Sequence, residues 1–317
     1  MKKEPLYIVD LLAEKGHILF VKKVIEILSK EYEIIFISSS RYCKLIGNKR
    51  NIEIKNYLFE YGNRYSFIVK QLVIIKNVKK KIDKHTKIII TGFENISFSI
   101  SWNVRNRTFV YLHNNIDKEG ISQWFLKKID KRVAFFVFEK YIQKHFYNLK
   151  NQTFYIPHAL NYNPSNYKEF EQSNIIFAPN LNIDSEHFNN LLEFSSDNNL
   201  KLYIKSKSKR KFNDKMVVLK PYFDNYFEIL EKAKYVVLDI PYKYRVSGVF
   251  YESMSLNKKI ILINPQGLYG REMYRLYPNN ISLGFMEEQL VRNSDNSIFL
   301  KAHNDSEIRK KITNAIQ

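Results

Sequence analysis

The chain has a single cysteine in 317 residues, Cys43. One thiol excludes a disulfide framework within the chain and fits a reducing compartment. Cys43 follows an apolar run and reads as a packed filler rather than a reactive group. No apolar run approaches the ~20 residues that cross a bilayer. The opening Met1-Lys-Lys-Glu-Pro leads straight into Leu6 to Leu12, which Glu14 interrupts too soon for a secretory signal. Glycine is sparse, with nine residues, and its phosphate-cradling fingerprints are missing. Without Gly-x-x-x-x-Gly-Lys-Ser/Thr there is no P-loop, and without Gly-x-Gly-x-x-Gly a nicotinamide cofactor is not expected. Without Gly-x-Ser-x-Gly an esterase is not expected. Seven histidines are scattered without zinc-ligand spacing, and no Asp-x-Asp pair follows a strand, so no metal site is expected.

Acidic residues are also short, 32 against 51 lysines and arginines, for a net charge of +19. That surplus suits an anionic partner: a membrane surface, nucleic acid or a phosphate-bearing substrate. The alternative is compositional bias, since lysine, asparagine and isoleucine are all abundant. The charge is locally clustered. Lys76 to Lys87 and Lys201 to Lys215 each hold six lysines, the second with Arg210 as well. Lys127, Lys128, Lys131 and Arg132 follow Trp124-Phe125, the pattern of a basic helix with aromatics at one end that lies on a membrane; a solvated helix face is the alternative.

With 45% apolar residues the chain can bury a sizeable core, and its length suits two domains. Strands and helices alternate throughout. Strands are expected over Leu6 to Leu12, Glu33 to Ser39, Ile52 to Tyr57, Lys87 to Thr91, Arg107 to Leu112 and Val133 to Phe138. Helices are expected over Ile18 to Lys30, Lys140 to Tyr147 and, as a long amphipathic helix, Tyr65 to Lys84. The polar stretch Asn161 to Ser173, with Pro164 and Ser165, reads as a linker. A second series follows: strands Asn174 to Phe177, Lys201 to Lys205 and Met216 to Leu219, with a helix Ser185 to Asn198. The expected division is a first domain over 1–162, a linker over 163–173, a second domain over 174–304 and a terminal helix over 305–317.

The most informative stretch is Tyr244 to Asn264. Upstream, Asp224 to Lys234 reads as a helix and Tyr235 to Ile240 as a strand. Ser247-Gly248 opens a helix, Asn257 stops it, and Ile260 to Ile263 is a short strand. A small glycine-containing loop at a helix N-terminus is an anion site, because free N–H groups and the helix dipole favour phosphate. One turn in, Glu252 can accept hydrogen bonds from a ribose.

Here the sequence resembles the C-terminal domain of GT-B glycosyltransferases, particularly the large retaining family that builds bacterial polysaccharides. Their signature runs Glu-Gly-Phe-Gly, three residues, Glu-Ala-Met-Ala, then Gly-Lys-Pro-Val-Ile. Ser247 and Gly248 lie near the glycine-rich part. Glu252-Ser253-Met254-Ser255 matches the second block, and Asn257-Lys258-Lys259-Ile260-Ile261 matches the last. The family's first glutamate falls at Tyr244, a departure that leaves retention or inversion open. The resemblance implies an α/β fold of GT-B type, two Rossmann-like domains facing a central cleft, with a terminal helix that returns to the first domain or stands as a tail. It implies a nucleotide-sugar donor, with no other cofactor, on the second domain. Lys205 at a strand end and Arg245 in the loop before the helix are the best-placed cations for the departing diphosphate, and Lys207 and Arg210 are secondary. The lysine that the family carries near the position of Asp184 is missing.

The first half echoes the same family. The loop Lys15-Gly16-His17 follows the first strand, where such enzymes place a glycine-containing loop beside the reacting sugar. His17 is a candidate general base, or else caps or orients the loop. His113, in Tyr111 to Asp117, is a candidate sugar ligand or an ordinary strand-end residue. Ile156-Pro157-His158-Ala159-Leu160-Asn161 resembles the family's Ile-Pro-Asn-Gly segment and is given a structural role. The expectation is a metal-independent cytoplasmic hexosyltransferase. Its acceptor would be a saccharide, lipid-linked, in surface polysaccharide synthesis, with peripheral contact to an anionic inner membrane face. Two other readings are a non-catalytic partner of an active transferase and a nucleic-acid-modifying glucosyltransferase. Against the latter, the lysines are spread over both halves rather than gathered on one face with stacking aromatics.

Overall fold

Apolar runs rich in isoleucine, valine and phenylalanine form two wholly parallel sheets, as expected for strands buried on both faces. The computed structural model describes residues 3–113, 115–146, 150–161, 173–208, 212, 215–264 and 267–317. The chain divides into two compact units: residues 1–161 with 303–317, and residues 162–302. The linker reading over 163–173 lies outside the described residues except for Ser173, which opens a strand.

The first unit holds strands β1 (Glu4–Asp10), β2 (Tyr32–Ser39), β3 (Asn51–Ile54), β4 (Lys87–Gly92), β5 (Thr108–Tyr111), β6 (Val133–Val137) and β7 (Thr153–Tyr155). Their order is β3-β2-β1-β4-β5-β6-β7. Helices α1 (Ile18–Leu28), α2 (Ser40–Ile46), α3 (Arg64–Lys79), α4 (Asn95–Ser101), α5 (Ile121–Leu126) and α6 (Lys140–His145) connect them. The second unit holds β8 (Ser173–Ala178), β9 (Lys201–Lys205), β10 (Val217–Lys220), β11 (Ala233–Leu238), β12 (Lys259–Leu262) and β13 (Ile281–Leu283), ordered β10-β9-β8-β11-β12-β13. Its helices are α7 (Glu186–Asp197), α8 (Tyr226–Lys232), α9 (Gly248–Ser255), α10 (Leu268–Leu276), α11 (Glu287–Leu290) and α12 (Ser297–Ala302). The last helix, α13 (Asp305–Ile316), belongs to the first unit and buries Ile308, Ile312, Ala315 and Ile316.

Both sheets follow the doubly wound pattern in which strand order reverses at the first strand, placing a binding crevice at the carboxyl ends there. Three readings change. The amphipathic helix stops at Lys79 rather than Lys84, and it buries Gln71, Ile74, Ile75 and Val78 while Tyr65, Val69 and Val73 are exposed. The third strand is shorter, because Asn56–Phe59 forms a 3-10 turn. The basic segment after Trp124-Phe125 is not a helix: α5 ends at Leu126 and Lys127 to Arg132 runs through turns. The Tyr147 end expected for α6 lies outside the described residues.

Candidate functional site

In the second unit the reversal lies between β8 and β11. Asn180 and Asp239, just past those strands, bridge it reciprocally. Asn180 Nδ2 donates to the Asp239 carbonyl at 3.0 Å, and the Asp239 N–H donates to Asn180 Oδ1 at 3.3 Å. Burial pushes the Asp239 carboxyl up, while His187 and the Asn264 side chain pull it back. Asp239 Oδ1 is buried without a hydrogen-bond partner. Sequence reasoning missed this residue by running the strand to Ile240; an acid at the carboxyl end of a parallel strand was the available signal.

The same edge carries the opening of α9. Ser247 is its N-cap, in extended backbone, with Oγ accepting from the Phe250 N–H at 3.3 Å. The Gly248 and Val249 N–H groups are among those a helix cannot satisfy internally. A Cβ built on Gly248 would meet no atom within 4 Å, so the approach to the helix end is open. Gly267 shapes the loop beside it. A Cβ there would lie 2.7 Å from the Ile240 and Tyr242 carbonyl oxygens, so only glycine permits this close approach. At the helix's other end Asn257 adopts a left-handed conformation at φ +53°, which accounts for asparagine where the resembling family has glycine. The buried ammonium groups of Lys258 and Lys259 donate to the carbonyls of Glu231 and of Asn279, Gln289 and Arg292, so that block anchors the fold.

Glu252 accepts a hydrogen bond from the Tyr226 hydroxyl at 2.8 Å. Burial raises its pKa, and the Tyr226 bond and the nearby Lys205 ammonium oppose that rise. The carboxyl is thus held in place and electrostatically linked to the residue that ends β9. Tyr226 was missed because it stands 26 residues away, on α8. Arg245 sits over the Tyr242 ring at 4.6 Å, in the loop leading to Ser247. Lys207 is exposed, and Arg210 lies outside the described residues. Among the described residues no group of three or more His, Cys, Asp or Glu is arranged to hold a metal ion.

In the first unit the reversal lies between β1 and β4. Asp10 ends β1 fully buried. Its Oδ1 accepts the Leu12 and Ala13 N–H groups at 3.0 and 2.7 Å, and its Oδ2 accepts from Thr91 Oγ1 at 2.9 Å. Burial raises its pKa, and His17 opposes the rise. This bonding fixes the loop that carries Gly16 and His17. The His17 ring makes no capping bond to α1; it stacks on His113 with centroids 4.6 Å apart. His17 Nε2 lies 3.7 Å from Glu14 Oε2, and its Nδ1 is buried without a hydrogen-bond partner. His113 packs against Phe20 and Phe138, each at 4.9 Å. Burial first, then His17 and His158, hold its pKa well below the usual histidine range, and its Nε2 has no hydrogen-bond partner. A neutral imidazole with an unpartnered nitrogen can accept a hydrogen bond from a hydroxyl, while the depressed pKa disfavours taking up a proton. His158 rests against Phe20 and Phe138 at 5.0 Å each, and its carbonyl meets His303 Nδ1 at 2.9 Å.

The candidate residues thus form two groups, His17 with His113 in one unit and Ser247, Gly248, Glu252, Lys205 and Arg245 in the other. Solved structures share the arrangement of both sheets. The Anabaena protein HepE in complex with UDP-glucose superposes with a TM-score of 0.67 at 8% identity, over 98% of each chain. The fold is GT-B. The UDP-GlcNAc 2-epimerase from Neisseria meningitidis bound to UDP-GlcNAc matches at 0.59 and 10% identity, again over 98% of each chain. Sucrose-phosphate synthase from Thermosynechococcus elongatus matches at 0.59 and 12% identity, over 99% of this chain and 95% of that one. No protein-family model and no curated protein sequence matches the chain.

Proposed function

We propose that this GT-B chain moves a hexose from a nucleotide-sugar donor to a saccharide acceptor. The observation that carries the reading is the combination at α9: an open, Ser247-capped helix N-terminus followed one turn later by a carboxylate that Tyr226 pins. The helix end takes the diphosphate and Glu252 takes the ribose hydroxyls. Lys205 and Arg245 offset the charge on the departing nucleotide, so the reaction needs no metal and no further cofactor. His17, turned by Glu14, takes the acceptor proton at Nδ1, and His113 accepts a sugar hydroxyl. The neighbours' complexes with UDP-glucose and UDP-GlcNAc support a donor of that class.

The acceptor in this reading is a lipid-linked glycan of bacterial surface polysaccharide, met at the cytoplasmic face of the membrane. In this reading the contact is peripheral; no helix among the described residues is long and apolar enough to cross a bilayer. Exposed Ile121 and Trp124, with Lys128 5.1 Å above the Trp124 ring, support a contact surface at α5. Nucleic acid is not the partner in this account.

The likeness to UDP-GlcNAc 2-epimerases favours a second reading, conversion of the nucleotide sugar itself. Following a nucleotide sugar by NMR, with and without saccharide acceptors, separates the two. Transfer gives free nucleoside diphosphate and a new glycoside only when acceptor is present. A new nucleotide-sugar epimer without acceptor would establish the second reading.

A further inference from the structure

A groove of about 470 Å³ lies in the first unit, away from the histidine pair, between α6, the edge strand β7 and α13. Lys140, Gln143 and Lys144 recur at helical spacing on α6, and Lys311, Asn314 and Ala315 recur the same way on α13, so each helix turns one face to the groove. Phe154, Tyr155 and Ile156 floor it. Lys140 and Lys311 both approach the Tyr155 ring, at 5.8 and 5.0 Å from its centroid. Among the described residues no carboxylate stands within ion-pairing distance of Lys140, Lys144 or Lys311, whereas Lys23, Arg50 and Arg132 of the same unit each have one. The walls are fixed. Arg107 donates to the carbonyls of Ala315 and Ile316 at 3.1 and 3.0 Å, and Gln143 Nε2 donates to the Thr153 carbonyl at 2.8 Å. Three like charges around a pocket of ligand size, with no carboxylate among the described residues to pair with them, favour an anion there.

We propose that this groove is a second anion site, taking a phosphate-bearing ligand separately from the nucleotide-binding edge of the other unit. The shared chemistry is a phosphate or diphosphate group against three ammonium groups, its attached carbon skeleton lying on Tyr155 and Phe154. A soluble diphosphate and a membrane lipid headgroup both offer that chemistry. Neither source needs the donor reading to hold, because all nine lining residues belong to the first unit.

The test uses the full chain, the triple variant K140Q/K144Q/K311Q, and a control triple K76Q/K80Q/K84Q of equal charge loss. Pyrophosphate is titrated by calorimetry, and flotation is measured with phosphatidylcholine vesicles with and without phosphatidylglycerol. The proposal expects the groove triple to weaken pyrophosphate binding, vesicle binding or both at least tenfold relative to the control. Loss confined to pyrophosphate identifies a soluble ligand, and loss confined to anionic vesicles identifies a headgroup. Equal behaviour of the two triples in both assays, or no binding by the parent in either, would overturn it. Circular dichroism melting of both triples checks that the fold is kept.

Discussion

Glu252 is where sequence and structure meet most closely. Its place one turn into a capped helix is legible from Ser247-Gly248 and the spacing alone. What orients it is not, because the Tyr226 hydroxyl comes from another helix. Glu252→Ala is expected to weaken nucleotide binding ~30–100-fold, since paired hydrogen bonds to a carboxylate are worth on the order of 2–3 kcal/mol. Tyr226→Phe should lose less, because it frees the carboxylate without removing it. Equal dissociation constants for parent and Glu252→Ala by calorimetry would remove the ribose role. The buried histidines give a pH prediction. Burial, with His303 nearby, holds His158 at about 3, and burial holds His303 at about 4, against an ordinary 6.5. Both are neutral in the folded state, whereas the unfolded chain takes up their protons below 6.5. Their contribution to stability is therefore complete above about pH 6.5 and is lost as the pH falls toward 4, by about 1.4 kcal/mol per histidine per pH unit. Thermal melts from pH 7.5 to 4.5 should fall steeply for the parent and less steeply for His303→Gln. Parallel curves would contradict the assignment. The pairing of His303 with His158 spans 145 residues, so no local pattern announces it.

At the scale of elements, long apolar strands were readable within a residue or two, because a strand covered on both faces is a run of isoleucine and valine. The short pieces were not. The three-residue β13 and helices such as α5 and α12 contain too few residues for a period to show. Fixing the end of α5 at Leu126 also changes the membrane argument. Arg132 is already engaged, its Nε 3.0 Å from Asp130 Oδ1 within a two-pronged contact. That leaves Lys127, Lys128 and Lys131 to meet anionic lipid, beside exposed Ile121 and Trp124. At roughly 1 kcal/mol per charge, neutralising the three lysines should lower partitioning onto anionic vesicles by about a hundredfold, while Arg132→Gln alone should change it little. Binding should also fall as salt rises from 0.1 to 1 M. Equal flotation of parent and triple variant would return this charge to composition.

At the scale of the molecule, two α/β series were legible from alternation and their doubly wound form only from the resemblance, and the membership of α13 in the first unit rests on Ile308, Ile312, Ala315 and Ile316, a helical apolar face that the surrounding basic residues disguise. The proposed chemistry neutralises the leaving diphosphate with Lys205, Arg245 and a helix end. Activity should therefore persist in excess EDTA; complete loss restored by manganese would contradict the metal-independent mechanism. The central claim is that the opening of α9 binds a nucleotide sugar, and a thermal-shift panel of nucleotide sugars on the parent and Glu252→Ala tests it most directly. A ligand at a hundred times its dissociation constant stabilises the folded state by about 2.7 kcal/mol, which corresponds to a rise of several degrees. The account predicts that at least one nucleotide sugar raises the melting point of the parent and that the rise is largely lost in Glu252→Ala. Shifts of equal size in both proteins, or none in the parent across the panel, would contradict it.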